Sequence, residues 1–163
     1  MTATRSADVA SSGIAIDSLL VHILVPREVR FRDLHNEARQ QAGLAPMDWM
    51  PPLDRIALTR CTQMVQGWPF GHAGPHGDSE YAILLAGMGL TSYTWAGENL
   101  AQNQEGYGQS YPEDDAQRAF TALMASPGHR DNILFSSYNR FGIGSGTNSE
   151  GLIFWATIFL ELH

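Results

Sequence analysis

The last long segment of the chain, Leu152 to Leu160, is apolar at nearly every position. A strand that faces water on one side alternates apolar and polar residues, so a run with no polar face belongs where both faces are covered. Arg140 to Ser145 precedes it, and Gly146-Thr147-Asn148-Ser149-Glu150-Gly151 between them is a turn signal, so the two segments read as a hairpin. A sheet covered on both faces needs helices above and below it. The chain is thereby constrained to three layers.

The helical patterns supply the outer layers. Pro26 opens a helix that places Phe31, Leu34 and Ala38 on one face, with Gly43 as its stop. A second helix follows Pro51-Pro52, with Leu53, Ile56, Met64 and Cys61 inward. A third runs from about Asp78, its N-cap, to Gly87, with Tyr81, Leu84, Leu85 and Met88 inward. A fourth begins at Ser110, where Ser110 and Glu113 have capping-box spacing. Its buried stripe is Ala116, Phe120 and Leu123, the acidic Glu113-Asp114-Asp115 run suits the dipole at its start, and Pro127-Gly128 ends it. Tyr93 to Ala96 is a further strand. The expected fold is α+β: a three-layer α-β-α sandwich of four helices around a small, mostly antiparallel sheet.

At 163 residues and 44% hydrophobic content, one domain with its own core is expected, spanning 26–163. Residues 1–12 are small and polar, and Ile14 to Val25 is aliphatic and β-branched, so 1–25 reads as an N-terminal arm or docking segment. A net charge of −7 argues against a nucleic-acid-binding surface, which would need a basic stripe. All ten basic residues are arginine, which excludes a Schiff-base or lysine general-base mechanism. The lone Cys61 cannot close an intrachain disulfide and reads as a small core residue. No transmembrane segment is expected. Gly13 to Val25 contains Asp17 and His22 and lacks a charged lead and a cleavage site, so it is a poor signal peptide.

Three distant segments carry the residues with chemical potential. They are Phe70-Gly71-His72, Trp95-Ala96-Gly97-Glu98-Asn99-Leu100 and Ser126-Pro127-Gly128-His129-Arg130-Asp131-Asn132-Ile133-Leu134. Two imidazoles and a carboxylate beside glycines and a proline suit a metal or acid–base site in a cleft. Ser126 lacks a nucleophile elbow and sits where a helix-ending serine is common. Asn99, Asn132 and Arg130 read as loop-pinning side chains. His76 follows His72 by four residues, but Ala73-Gly74-Pro75 rules out a helical pair, leaving it as an auxiliary ligand at most. His22, His35 and His163 are expected to face solvent. No zincin motif, phosphate loop, EF-hand loop or CxxC pair occurs.

These segments, with Leu34-His35-Asn36-Glu37-Ala38-Arg39 before them and Phe141-Gly142-Ile143-Gly144 after, resemble the bacterial SCP-like branch of the CAP superfamily. The resemblance runs from about Arg27 to Leu160. It implies the same α-β-α sandwich and a central cavity with two histidines and two acidic residues. His72, Glu98 and His129 match three of those four positions; Ser126 stands where the second glutamate belongs, and Leu123 replaces a tryptophan one turn earlier. It implies His72, Glu98 and His129 as catalytic or metal-binding residues, with Zn2+ or another divalent metal as cofactor. Glu98 serves either as a third ligand or as the acceptor that fixes a histidine tautomer.

Three functions follow as expectations. One is a binding or accessory module whose cleft holds a metal and a small apolar ligand. A second is a metal- or histidine-assisted hydrolase of a peptide, ester or wall polymer. The third is a component of an extracellular or virion-like assembly, docked to a protein partner through residues 1–25. Extracellular or particle-associated location follows from the resemblance.

Overall fold

A computed structural model describes residues 23–106 and 112–163. The expected arm therefore lies almost wholly outside the described residues, as does the Ser110 cap. In chain order the elements are α1 (Pro26–Gln41), β1 (Asp48–Trp49), α2 (Pro51–Val65), α3 (Glu80–Gly87), β2 (Ala96–Gln104), α4 (Pro112–Ala125), α5 (Pro127–Ile133), β3 (Arg140–Thr147) and β4 (Leu152–Leu160).

The sheet order is β1-β3-β4-β2. The expected β3–β4 hairpin is present, two residues longer on β3 than the turn signal suggested, and β4 pairs antiparallel with β2 along its other side. Only the short β1 runs parallel, to Arg140 and Phe141 of β3. The apolar β4 occupies the interior of the sheet, where both its backbone edges and both its faces are covered. Residues Ile153 to Leu160 are all buried.

Two cores flank the sheet. On one face Phe31, Leu34, Phe120, Leu123 and Ile133 from α1, α4 and α5 meet Ile143, Trp155 and Phe159. On the other, Leu53, Ile56, Ala57, Cys61 and Met64 of α2 and Leu85 of α3 meet Leu100, Phe154, Ala156 and Ile158. Alternating side chains of β4 feed the two cores in turn. α2 lies directly on β3 because Gly142 and Gly144 have no side chains. A Cβ at Gly142 would overlap the backbone between Leu53 and Asp54, and one at Gly144 would lie 2.5 Å from the Leu58 amide nitrogen.

Four sequence expectations need correction. Five helices, not four, are present among the described residues. Pro127 does not merely end α4; it takes the first position of α5, where a fixed φ and a missing N–H cost nothing. The strand expected at Tyr93 to Ala96 begins only at Ala96 and continues to Gln104, which puts Glu98 inside it. α3 begins at Glu80 after Ser79, so Asp78 is not its cap, and Met88 is exposed at its end.

His35 is the fourth. It is fully buried, not solvent-facing. Standing four residues after Phe31, it falls on the apolar stripe of α1 and packs among Phe31, Phe120, Phe141 and Phe159. Its Nδ1 lies 2.8 Å from the Phe31 carbonyl and its Nε2 3.1 Å from the Thr157 hydroxyl, so both ring nitrogens are satisfied without water. Burial lowers its pKa to about 4, against a smaller upward push from the Phe31 carbonyl.

Candidate functional site

β2 is an edge strand, and its first residues, 96–98, border a cleft. The cleft is of about 270 Å³ and is lined by His72, Tyr81, Ala96, Gly97, Glu98 and Asn132. The loop before α3 forms one wall, α5 the other, and β2 the floor.

Glu98 points to the α2 side, and its side chain is fully buried. A carboxylate there must be fully hydrogen-bonded to remain ionised. Arg60 of α2, equally buried, donates from Nε to Glu98 Oε2 at 2.8 Å, and His72 donates from Nδ1 to Oε1 at 2.8 Å. An ionised carboxylate only accepts, so the His72 proton sits on Nδ1, and among the described residues Nε2 is left without a partner. The His72 side chain is 54% exposed, so the imidazole links a buried charge to the solvent face of the cleft. The hydrogen bond to Glu98, partly offset by burial, raises the His72 pKa above the ordinary histidine value.

Arg60 also fixes the loop that carries His72. Its Nη2 donates to the carbonyls of Gly71 at 2.5 Å and Ala73 at 3.4 Å, either side of the histidine. Nη1 donates to Gln63 at 2.6 Å, and Gln63 in turn donates to the buried Glu80 at 2.7 Å. Glu80 accepts from His76 through both its Nδ1 (2.7 Å) and its amide (3.0 Å). Burial alone would raise the Glu80 pKa; the bonds from His76 and Gln63 more than reverse this and hold it below the usual range.

The opposite wall is tied to the next residue of β2. Asn99 points to the other face of the sheet, where its Nδ2 donates to the His129 carbonyl at 2.9 Å and its Oδ1 accepts from Asn132 Nδ2 at 2.9 Å. The chain leaving α5 is clamped by buried Arg39 of α1, which donates to the carbonyls of Ile133, Phe135 and Tyr138. The Tyr138 hydroxyl sits against Gly97, where any Cβ would collide with it, and burial pushes that phenol up to about 12. His129 is half-buried; burial lowers its pKa, and charge on His72 lowers it further.

Of the expected site residues, His72 and Glu98 are in direct contact, while His129 lies on α5 one turn before the lining residue Asn132, is not itself among the lining residues, and is tied by its carbonyl to Asn99. Asn99 and Asn132 do pin that wall, whereas Ser126 makes no side-chain cap bond and takes the N-cap position of α5. His76 is held by Glu80 rather than by the cleft. Among the described residues no three His, Cys, Asp or Glu side chains come together as a metal-binding group. The sequence reading missed Arg60, Gln63 and Glu80. Arg60 and Gln63 stand among Ile56, Ala57, Cys61 and Met64 on the inward face of α2, and polar residues there signal a buried network.

Comparison with known proteins places the fold. Residues 32–159 match the family model "CAP: Cysteine-rich secretory protein family". The Bacillus subtilis protein YkwD is 32% identical over 117 residues, covering 72% of this chain and 41% of YkwD. The chain spans less than half the length of the curated relatives it matches. Among solved structures, an outer surface protein of Borrelia burgdorferi superposes with a TM-score of 0.69 at 14% identity, covering 88% of this chain and 100% of the Borrelia chain. NaASP2 solved with Zn2+ superposes with a TM-score of 0.58 at 12% identity, covering 82% of this chain and 78% of NaASP2. At such identities the structures share the fold alone. On the family match, the chain belongs to the CAP, or cysteine-rich secretory protein, family.

Proposed function

We propose that this CAP domain acts outside the cell as a binding module whose cleft takes a divalent cation on imidazole nitrogens. The observation that carries the reading is the His72–Glu98 pair: a buried carboxylate fixes the proton on Nδ1 and leaves Nε2 as a ligand atom. A metal-binding histidine commonly has its second nitrogen held by a carboxylate in this way. The donor set fits a weak site. Both Glu98 oxygens are already engaged by His72 and Arg60, so Glu98 serves as the outer acceptor rather than a third ligand. His72 and His129 are the protein ligands, and water or a bound molecule completes the shell. The lining of the cleft, with His72, Tyr81, Glu98 and Asn132, favours a polar ligand beside the cation over the apolar one expected from sequence. That NaASP2 was solved with Zn2+ supports zinc as the cation to test, and the relationship to an outer surface protein supports a site of action outside the cell.

Zinc calorimetry at about pH 7.5 and about pH 5.5, on either side of imidazole titration, tests the reading. One ion bound at the higher pH, weakened at the lower, and lost in both His72→Ala and His129→Ala is the expected result. No binding by the unaltered protein at either pH overturns it.

The same pair favours a second reading. A carboxylate-held imidazole with a free Nε2 is also the arrangement of a general base, and such a base would activate water against a peptide, ester or wall polymer. Turnover that disappears in His72→Ala, with or without metal, is its test.

A further inference from the structure

Glu80 and His76 take no part in the cleft, yet the loop that carries His72 is built around them. The Glu80 side chain fills the turn from His72 to Gly77 so closely that a Cβ at Gly74 would lie 2.5 Å from its Cγ. Its backbone N–H donates to the His72 carbonyl at 3.0 Å. Its Oε1 receives both Gln63 and His76, and its Oε2 receives the His76 amide. Gln63 passes the connection to Arg60, which holds Glu98 and the carbonyls on either side of His72. Every link in this path is a named hydrogen bond, and Arg60 and Glu80 are entirely buried. His76, at the outer end, has a side chain 60% exposed.

We propose that Glu80, latched from outside by His76 and connected inward through Gln63 and Arg60, is a positioning residue that holds His72 in the orientation in which Glu98 sets its tautomer. The inference rests on His72 as the working imidazole of the cleft. Three features separate positioning from ordinary loop stability. The bonds converge on the backbone immediately around one histidine. They end on the same arginine that holds that histidine's acceptor. And they start at a second carboxylate–imidazole pair, four residues further on, that adds side-chain bonds to a turn closed by the Gly74–Gly77 backbone bridge. A loop needing stability alone would be served by an apolar plug at the position of Glu80, which avoids burying a charge. A carboxylate instead gives direction, because only particular donors satisfy it.

The experiment follows the tautomer of His72 by nitrogen NMR in metal-free protein, in mildly alkaline buffer where imidazoles are neutral. Zinc calorimetry runs in parallel. His35, sealed in the core with both nitrogens satisfied, is the internal control for the fold. In the unaltered protein His72 shows the Nδ1–H form alone. In Glu80→Gln one acceptor oxygen becomes a donor facing the His76 amide. His72 then becomes a mixture of tautomers, zinc binding weakens about tenfold, the range seen when an outer partner of a ligand is lost, and the His35 signals stay in place. His76→Ala, which cuts only the exposed latch, shifts His72 in the same direction by less. If His72 keeps a single tautomer and zinc affinity is unchanged in Glu80→Gln, the proposal is overturned. If Glu80→Gln also disperses the His35 signals, the fold has gone, and His76→Ala decides: an unmoved His72 there overturns the proposal. The tautomer readout needs no metal. Absence of zinc binding in the unaltered protein would sink the cation reading while leaving the role of Glu80 to be judged on the NMR alone.

Discussion

Asn99 donates its side-chain amide to the carbonyl of His129 at 2.9 Å, while the residue before it, Glu98, accepts a bond from His72 on the opposite face of the sheet. Two consecutive positions of one edge strand therefore hold the two histidine-bearing segments of the cleft. Neither segment needs to touch the other to be placed relative to it.

Removing the Asn99 amide tests this directly. The residue is fully buried, and Asn99→Ala leaves the Asn132 amide without its acceptor and the His129 carbonyl without its donor. A loss of about 2 kcal/mol in urea denaturation is expected. Asn99→Asp costs more at neutral pH, because a carboxylate then meets the His129 carbonyl oxygen, and the gap between the two variants narrows in acid.

Arg60 is a second point of leverage. Arg60→Met leaves Glu98 buried with its cation gone, and breaking a buried pair in this way costs about 4 kcal/mol. Neutralising Glu98 in the same chain, as Arg60→Met/Glu98→Gln, recovers part of that loss. Chemical denaturation of the two singles and the double gives the coupling. Additive losses would show that the pair is not energetically joined.

Acid sensitivity should trace to His35. Its folded pKa of about 4 lies below its ordinary 6.5, so the unfolded chain binds the extra proton first as pH falls. Stability is therefore fully present above about 6.5 and drains away as pH drops to about 4, by about 3 kcal/mol over that window. His72 has the opposite sign: its raised pKa contributes stability at lower pH that is lost on going alkaline. In His35→Gln the fall in urea midpoint between these two pH values should be clearly shallower than in the unaltered protein. An equal fall would assign the acid lability elsewhere.

The glycines beneath α2 predict a contrast within one strand. Gly142→Ala drives a methyl into the backbone of α2, which cannot move without lifting the helix, and should cost about 3 kcal/mol. Gly146→Ala meets Val65 Cγ2 at 3.1 Å and Cys61 Cβ at 3.5 Å, contacts a side chain relieves with a small shift, and should cost well under half as much. Thermal melts of the two variants make the comparison.

The parts of the fold that could be read in advance were those where one periodicity governs one face. β4 with no polar face, the α4 stripe of Ala116, Phe120 and Leu123, and the α2 face of Leu53, Ile56 and Met64 all lie in the core as expected. The short β1 escaped notice because two residues, both exposed, carry no alternation, and only the parallel pairing to β3 defines them. At the site, His72 and Glu98 were legible from glycine-flanked ionisable residues. The residues that hold them were not, because a buried Arg60–Gln63–Glu80 path depends on α2 and α3 meeting, and each polar side chain alone looks like a solvated one. His35 was misread for the same reason, although its spacing from Phe31 placed it on the apolar stripe.

The division of labour between Glu98 and Asn99 ties the cleft to the registration of β2 on β4, where Ala96 to Gln104 lie opposite Leu160 to Leu152. Slipping that pairing by a single residue turns every side chain of the strand over. Glu98 would then reach into the aromatic layer, and Asn99 would face Arg60. A misaligned chain thus loses its imidazole pair and buries an uncompensated charge in one step, so the chemistry of the cleft proofreads the assembly of the sheet.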